Sequence, residues 1–305
     1  MPDASAWAYA TFWETSRTGM GTSLSGRLGL NGRTSRLIAF LAAATLLPAG
    51  TALAAKKPAL RVAADYKIRY AGIKIGSFQF KSKVAGRRYE LTSNSNVKLL
   101  FGAFKWSSQS NTKGVVSRTP RPQSFDFVYY IKKKRKSASM KFKRGRVIDL
   151  NNTPRVNYTN NHVPLLPEHL IGVMDPMTAI MRMTRVANGN PCSQSAEIFD
   201  GKRRLRLKLS PKGRRRIEER KPSGQPRFGY VCRIRFTPIA GHKKTSRINS
   251  LSKNRDMEIV LRPVPAAKLM VPYEINIPTG FGTVSIVARS INIDNGAKQR
   301  IALRH

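Results

Sequence analysis

The 305 residues carry 56 Lys and Arg against 16 Asp and Glu, a formal net charge of +40, and 41% of them are hydrophobic. That apolar content excludes wholesale disorder and supplies a packed core. The charge predicts attraction to an anionic partner such as nucleic acid, lipopolysaccharide, phospholipid or an acidic polymer, unless it reflects a basic bias common to an exported proteome.

The first element in chain order is a leader. In "GRTSRLIAFLAAATLLPAGTALAAKK", Arg33 and Arg36 precede an apolar run from Leu37 to Leu47. Pro48 and Gly50 then break it, and Ala52-Leu53-Ala54 supplies a small-x-small cleavage site. This is the pattern of a secretory signal peptide cleaved after Ala54. The run is too short to span a bilayer, which takes about 20 apolar residues. Residues 1–54 thus read as a signal peptide with an N-terminal extension, Met20 offering an alternative start, and residues 55–305 as one mature domain in the periplasm. The basicity belongs to that domain, since the leader holds only four of the Arg residues and no Lys.

Beyond the leader, most of the chain alternates with period two, the mark of half-buried antiparallel strands. Tyr66, Ile68 and Tyr70 oppose Lys67 and Arg69, and Phe78 and Phe80 oppose Gln79 and Lys81. Leu205, Leu207 and Leu209 repeat the pattern, as do Cys232, Ile234 and Phe236, then Met257, Ile259 and Leu261, then Tyr273, Ile275 and Ile277. Hairpin-like connections are predicted at 85–88, 143–146 and 278–282. Pro263, Pro265 and Pro272 predict edges or bends near the last strands. The polar stretch from Lys212 to Arg227 reads as a long mobile loop, so a charged loop is expected near 211–228. One helix stands out in "DPMTAIMRMTRVANG", with Asp175 as N-cap, Pro176 at the first helical position and Asn188-Gly189 as the stop. The chain is therefore predicted to be mainly β with one main α-helix.

Cys192 and Cys232 are the two cysteines. An even count behind a secretory signal favours a disulfide over a redox or zinc role, because C-x-x-C is absent and two thiols make a poor zinc site. His162, His169, His242 and His305 have no metal-ligand spacing, and the scattered acids read as turn and cap residues. Nucleophile elbows and phosphate-binding glycine loops are also missing. No catalytic, cofactor or metal residues are assigned, and a hydrolase with an unrecognised site is the lesser alternative. The aromatics Phe78, Phe80, Trp106 and their neighbours on strands could form the core of a sheet, stack single-stranded nucleic acid, or line an apolar cavity for a lipid-like ligand. The candidate ligand face is Tyr66, Ile68, Tyr70, Phe78, Phe80 and Trp106.

Lys132, Lys133, Lys134, Arg135 and Lys136 form the densest cationic run. It falls at a hairpin turn, where charges are solvated and discourage edge pairing. Behind a secretory signal it is neither a nuclear address nor a grip on nucleic acid, and no nucleic-acid partner is expected. It is the candidate patch for docking on an anionic envelope surface.

Four segments carry a resemblance: "YKIRYAGIKIGSF" from Tyr66, "DPMTAIMRM" from Asp175, "CSQSAEIFDGKRRLRLKL" from Cys192 and "VCRIRFTPIAGH" from Val231. Over roughly residues 60–293 the chain resembles the bacterial family catalogued as domain of unknown function 3108. The resemblance implies a periplasmic protein of a Gram-negative bacterium with a strongly curved antiparallel sheet, or incomplete β-barrel, similar in outline to periplasmic lipoprotein carriers. It implies no catalytic signature. A non-enzymatic envelope protein that binds or chaperones an apolar or amphiphilic ligand in the concave face is the leading expectation. A cationic protein docking on envelope polymers or lipids is the alternative.

Overall fold

A computed structural model describes residues 59–99, 103–116, 119–131, 133–185, 190–296 and 300–305. The expected leader, Lys132 and the Asn188-Gly189 stop lie outside the described residues.

The alternating segments form strands β1 (Leu60–Tyr70), β2 (Ile73–Ala85), β3 (Arg88–Leu99), β4 (Phe104–Val116), β5 (Pro120–Ile131), β6 (Lys134–Lys143) and β7 (Arg146–Thr153). After helix α1 (Pro176–Thr184) come β8 (Ser195–Phe199), β9 (Arg204–Arg216) and β10 (Phe228–Ala240). Helix α2 (Ser246–Lys253) precedes β11 (Glu258–Val264), β12 (Leu269–Thr279), β13 (Gly282–Asp294) and β14 (Arg300–Arg304). All fourteen strands belong to one antiparallel sheet in the order β7-β6-β5-β4-β3-β2-β1-β13-β12-β11-β10-β9-β8, with β14 beside the second half of β13.

The sheet curves for a local reason. Six of its pairings slip register, among them β1 with β2 at Ile68/Arg69, β4 with β5 at Lys113/Gly114 and β9 with β10 at Val231/Cys232. Each bulge bends its strand and increases the right-handed twist. The sheet does not close on itself. Its end strands are instead joined by the segment entering α1, where Ile171 bridges Arg146 of β7 and Met174 bridges Ile198 of β8.

Helix α1 fills part of the concavity. Asp175 is fully buried and caps it, accepting from the backbone N–H groups of Met177 (2.9 Å) and Thr178 (3.1 Å). Its carboxylate also accepts from the hydroxyls of Thr178 and of Thr112 on β4, the latter at 2.9 Å. Because the Thr178 hydroxyl donates to Asp175, the 2.8 Å contact with Tyr89 on β3 has the phenol as donor. One side chain thus satisfies the orphan N–H groups of the helix start and pins the helix to the sheet. Met177, Thr178, Ala179, Met181 and Met183 are all buried, so the helix is apolar nearly all round, as an internal helix must be.

Cys192 and Cys232 are disulfide-bonded. The bridge ties the chain after α1 to β10 within a cluster formed by Met183, Leu209, Ile259 and Leu261. Pro263 stands where β11 has run past β10 and pairs with β12 alone, and Pro272 sits at the register slip opposite Leu261. Both prolines therefore avoid a two-sided ladder, which needs their missing N–H.

One expectation is corrected. The segment read as a loop from Lys212 is strand as far as Arg216, because β10 pairs with it through Phe228 opposite Arg216. Arg214, registered opposite Tyr230, lies 5.3 Å from the Phe228 ring centroid and 4.8 Å from that of Tyr230. The remaining connection is anchored too: the Glu219 side chain, 2% exposed, pairs at 2.6 Å with fully buried Arg262, which also donates to the Pro226 carbonyl at 3.0 Å. A second, short helix, α2, is capped by Thr245 and buries one residue, Ile248.

Candidate functional site

A cavity of about 510 Å³ lies between the concave face of the sheet and α1. This is within the range of small-molecule sites, roughly 300–1,000 Å³. Tyr66 and Ile68 of β1, Phe78 and Phe80 of β2 and Trp106 of β4 line it, five of the six residues of the expected ligand face. Met177 and Met181 of α1 face them across it. Tyr70, the sixth, is not in the lining. It ends β1 just beyond the register slip at Ile68/Arg69, and its phenol donates to the Phe281 carbonyl in the turn between β12 and β13.

Room for the cavity comes from small side chains. On the inner faces of β3 and β4, Ser93 stands opposite Ser110 and Ser95 opposite Ser108, and all four line the space. Ser93 and Ser110 satisfy each other across 2.7 Å, so little polarity is directed at an occupant. The alternation in "LTSNSN" and "SSQSNT" held this signal: inward positions occupied by serine leave a sheet unfilled.

One part of the wall is charged, and the sequence reading did not assign it. Asp200 and Arg203 in the turn from β8 to β9, and His242 just after β10, line the cavity. Arg203 Nε lies 3.3 Å from Asp200, and the backbone N–H groups of Lys202 (3.1 Å) and Arg203 (2.8 Å) also donate to that carboxylate. Burial raises the Asp200 carboxyl above the usual range, while Arg203 and these hydrogen bonds oppose the rise. Behind it, Lys202 Nζ is 3.3 Å from the phenol of Tyr129, and Tyr158 donates to the Lys202 carbonyl at 2.6 Å. Burial lowers the Lys202 ammonium to about 8, with Asp200 opposing and Lys136 and Arg203 adding to the effect. Burial likewise holds His242 below the usual histidine range, with the Ala240 backbone partly offsetting it and the charges of Arg203 and His162 reinforcing it.

Two glycines make the arrangement possible. Gly241 has φ +75°, and a Cβ there would collide with the Lys202 carbonyl. Gly201 has φ +95°, and a Cβ would come within 2.8 Å of the Ala138 methyl. Both need the left-handed backbone and the close approach that glycine alone tolerates.

The cationic run divides. Lys133, Lys134 and Arg135 are exposed at the turn between β5 and β6, whereas Lys136 is only 4% exposed. Lys136 shares the inward parity of Ala138, Met140 and Phe142 and points to the neighbourhood of Lys202, so it is not part of an outer patch.

The glycines of "FDG" and "PIAGH", far apart in sequence, thus belong to one site. Residues 65–289 match the family described as "Protein of unknown function (DUF3108)". The chain belongs to this family. Its match spans the sheet from β1 to β13, the cavity and the charged turn. No curated protein and no solved structure matches the chain.

Proposed function

We propose that this is an exported envelope protein that holds an apolar or amphiphilic ligand in the concavity of its sheet and does so without catalysis. The cavity between the sheet and α1, walled by Tyr66, Phe78, Phe80 and Trp106, carries the reading. Binding there removes ligand and lining from water together, worth about 25 cal/mol per Å² of apolar surface. The leader expected over residues 1–54 supports the envelope as the compartment. The test is extraction of the protein purified without detergent, followed by mass spectrometry, together with titration of a fluorescent fatty acid. A stoichiometric co-purifying lipid or saturable probe binding supports the reading; neither one appearing refutes it.

Exposed Lys133, Lys134 and Arg135 favour a second, compatible role in docking on anionic envelope surfaces. Each basic residue close to an anionic membrane contributes about 1 kcal/mol. Co-sedimentation with phosphatidylglycerol vesicles should be strong at low salt and collapse at high salt, and salt-independent pelleting would contradict it.

A further inference from the structure

Neighbouring strands run antiparallel, so the turns from β1 to β2, β5 to β6 and β12 to β13 lie at one end of the sheet. Two of these turns touch: the Ala71 N–H donates to the Thr283 carbonyl at 3.0 Å, and the Tyr70 phenol donates to the Phe281 carbonyl. Ile73 and Phe281 flank that contact. They are the two most exposed large apolar side chains among the described residues, at 71% and 76%. The cavity reaches the same end, since Ile277 of β12 and Leu251 of α2 line it, and Asn254 at the end of α2 donates to the Pro278 carbonyl at 2.7 Å. The opposite end is crossed by the segment entering α1, where the Gly172 N–H meets the Gly145 carbonyl at 2.8 Å.

Cations surround these apolar tips. Arg69 stands directly opposite Lys74, and Lys98 directly opposite Lys105, all four of them exposed. Like charges in such positions destabilise a strand pair, and an anionic surface relieves that cost. Exposed Lys133, Lys134 and Arg135 occupy the β5–β6 turn of this end, and exposed Lys253 and Arg255 flank the end of α2, with Asp256 beside them. A bilayer with anionic headgroups matches both features: its hydrocarbon boundary takes up apolar side chains, and its surface charge attracts the cations around them. Resting on the reading that exposed cations dock the protein on anionic surfaces, we infer that this end is the docking face and that Ile73 and Phe281 enter the interface of an anionic phospholipid bilayer. Docking in this orientation brings the Ile277 end of the cavity to the membrane.

The test places a polarity-sensitive fluorophore on one added thiol of the disulfide-bonded protein, either Gly280→Cys beside Phe281, where there is open space, or Arg87→Cys at the opposite end. With phosphatidylglycerol vesicles at low salt, the label at 280 should shift to the blue and be quenched by lipid spin-labelled in the upper acyl chain. The label at 87 should do neither. The exposed pair Ile73→Ser with Phe281→Ser should weaken vesicle binding about tenfold without changing thermal unfolding. Phosphatidylcholine vesicles, which carry no net charge, should bind the wild type far more weakly. Vesicle binding that leaves residue 280 in water, shields residue 87 equally or survives the double serine variant overturns the inference and leaves electrostatic docking standing. Equal binding to phosphatidylcholine overturns it as well. If phosphatidylglycerol vesicles do not bind at low salt, the docking reading itself fails and takes this inference with it.

Discussion

The backbone of Gly241 packs directly against the carbonyl of Lys202, with φ at +75° and no room for a side chain. This contact sets the end of β10 against the turn between β8 and β9, and so places His242 beside Arg203. Gly241→Ala meets both a left-handed backbone and a backbone collision. It should destabilise the fold by about 2 kcal/mol or more, since each of these faults costs about 1–3 kcal/mol. Chemical denaturation measures the loss, and Gly213→Ala, at a position with open space around it, is the control expected to change little.

Arg262 and Glu219 form a pair almost wholly removed from solvent. Removing one partner strands the other's charge in the interior, so Arg262→Met should cost about 3–5 kcal/mol. The double variant Arg262→Met with Glu219→Leu should recover most of that loss, because neither charge is left alone. Denaturant midpoints of the three proteins check it, and a double variant as unstable as the single one would contradict it.

Stability should depend on pH through Lys202. Its ammonium titrates near 8 in the folded protein, against about 10.4 in an unfolded chain. Between those values the unfolded chain holds a proton that the folded one has released, so stability rises with pH over that window. Relative to Lys202→Met, the wild type should gain on the order of 2 kcal/mol between pH 7 and pH 10. Tyr129 and Tyr158 act in the opposite sense above about pH 10, because burial raises both phenols and the folded protein keeps protons that the unfolded one loses, so stability falls there as pH rises. Thermal unfolding of both proteins across pH 7–11 checks the sign, and parallel curves would contradict the Lys202 assignment.

The bridge from Cys192 to Cys232 spans a sequence separation of 40. Restricting a loop of that length stabilises the fold by about 4 kcal/mol in the chain-entropy account. The double variant Cys192→Ala with Cys232→Ala should lose an amount of that order, as should the reduced wild type, by equilibrium unfolding.

Much of the sheet was legible because alternation is a one-dimensional signal: the inward parity of Tyr66, Ile68, Phe78 and Phe80 follows from the sequence alone. The cap of α1 was equally local, being written in Asp175-Pro176. Lys136 was legible by the same parity and was hidden only by treating five cations as one run. The charged part of the site was not legible, because Arg203 and His242 are brought together through the pairing of β9 with β10, where Arg204 stands opposite Ala240. No periodicity specifies that register. Likewise, Arg214 and Arg215 read as loop because their charge signals solvent, yet both lie in β9 against aromatic rings, Arg214 over Tyr230 and Arg215 over Tyr273.

Trp106 offers the most direct measurement, since it lines the cavity and is the one tryptophan of residues 55–305. A fatty acid brominated mid-chain, titrated into a chain of residues 55–305, should quench its fluorescence saturably at one ligand per chain. The unbrominated acid should bind competitively and restore the emission. Absence of saturable quenching, or quenching that the unbrominated acid fails to reverse, would contradict a ligand in the concavity of the sheet.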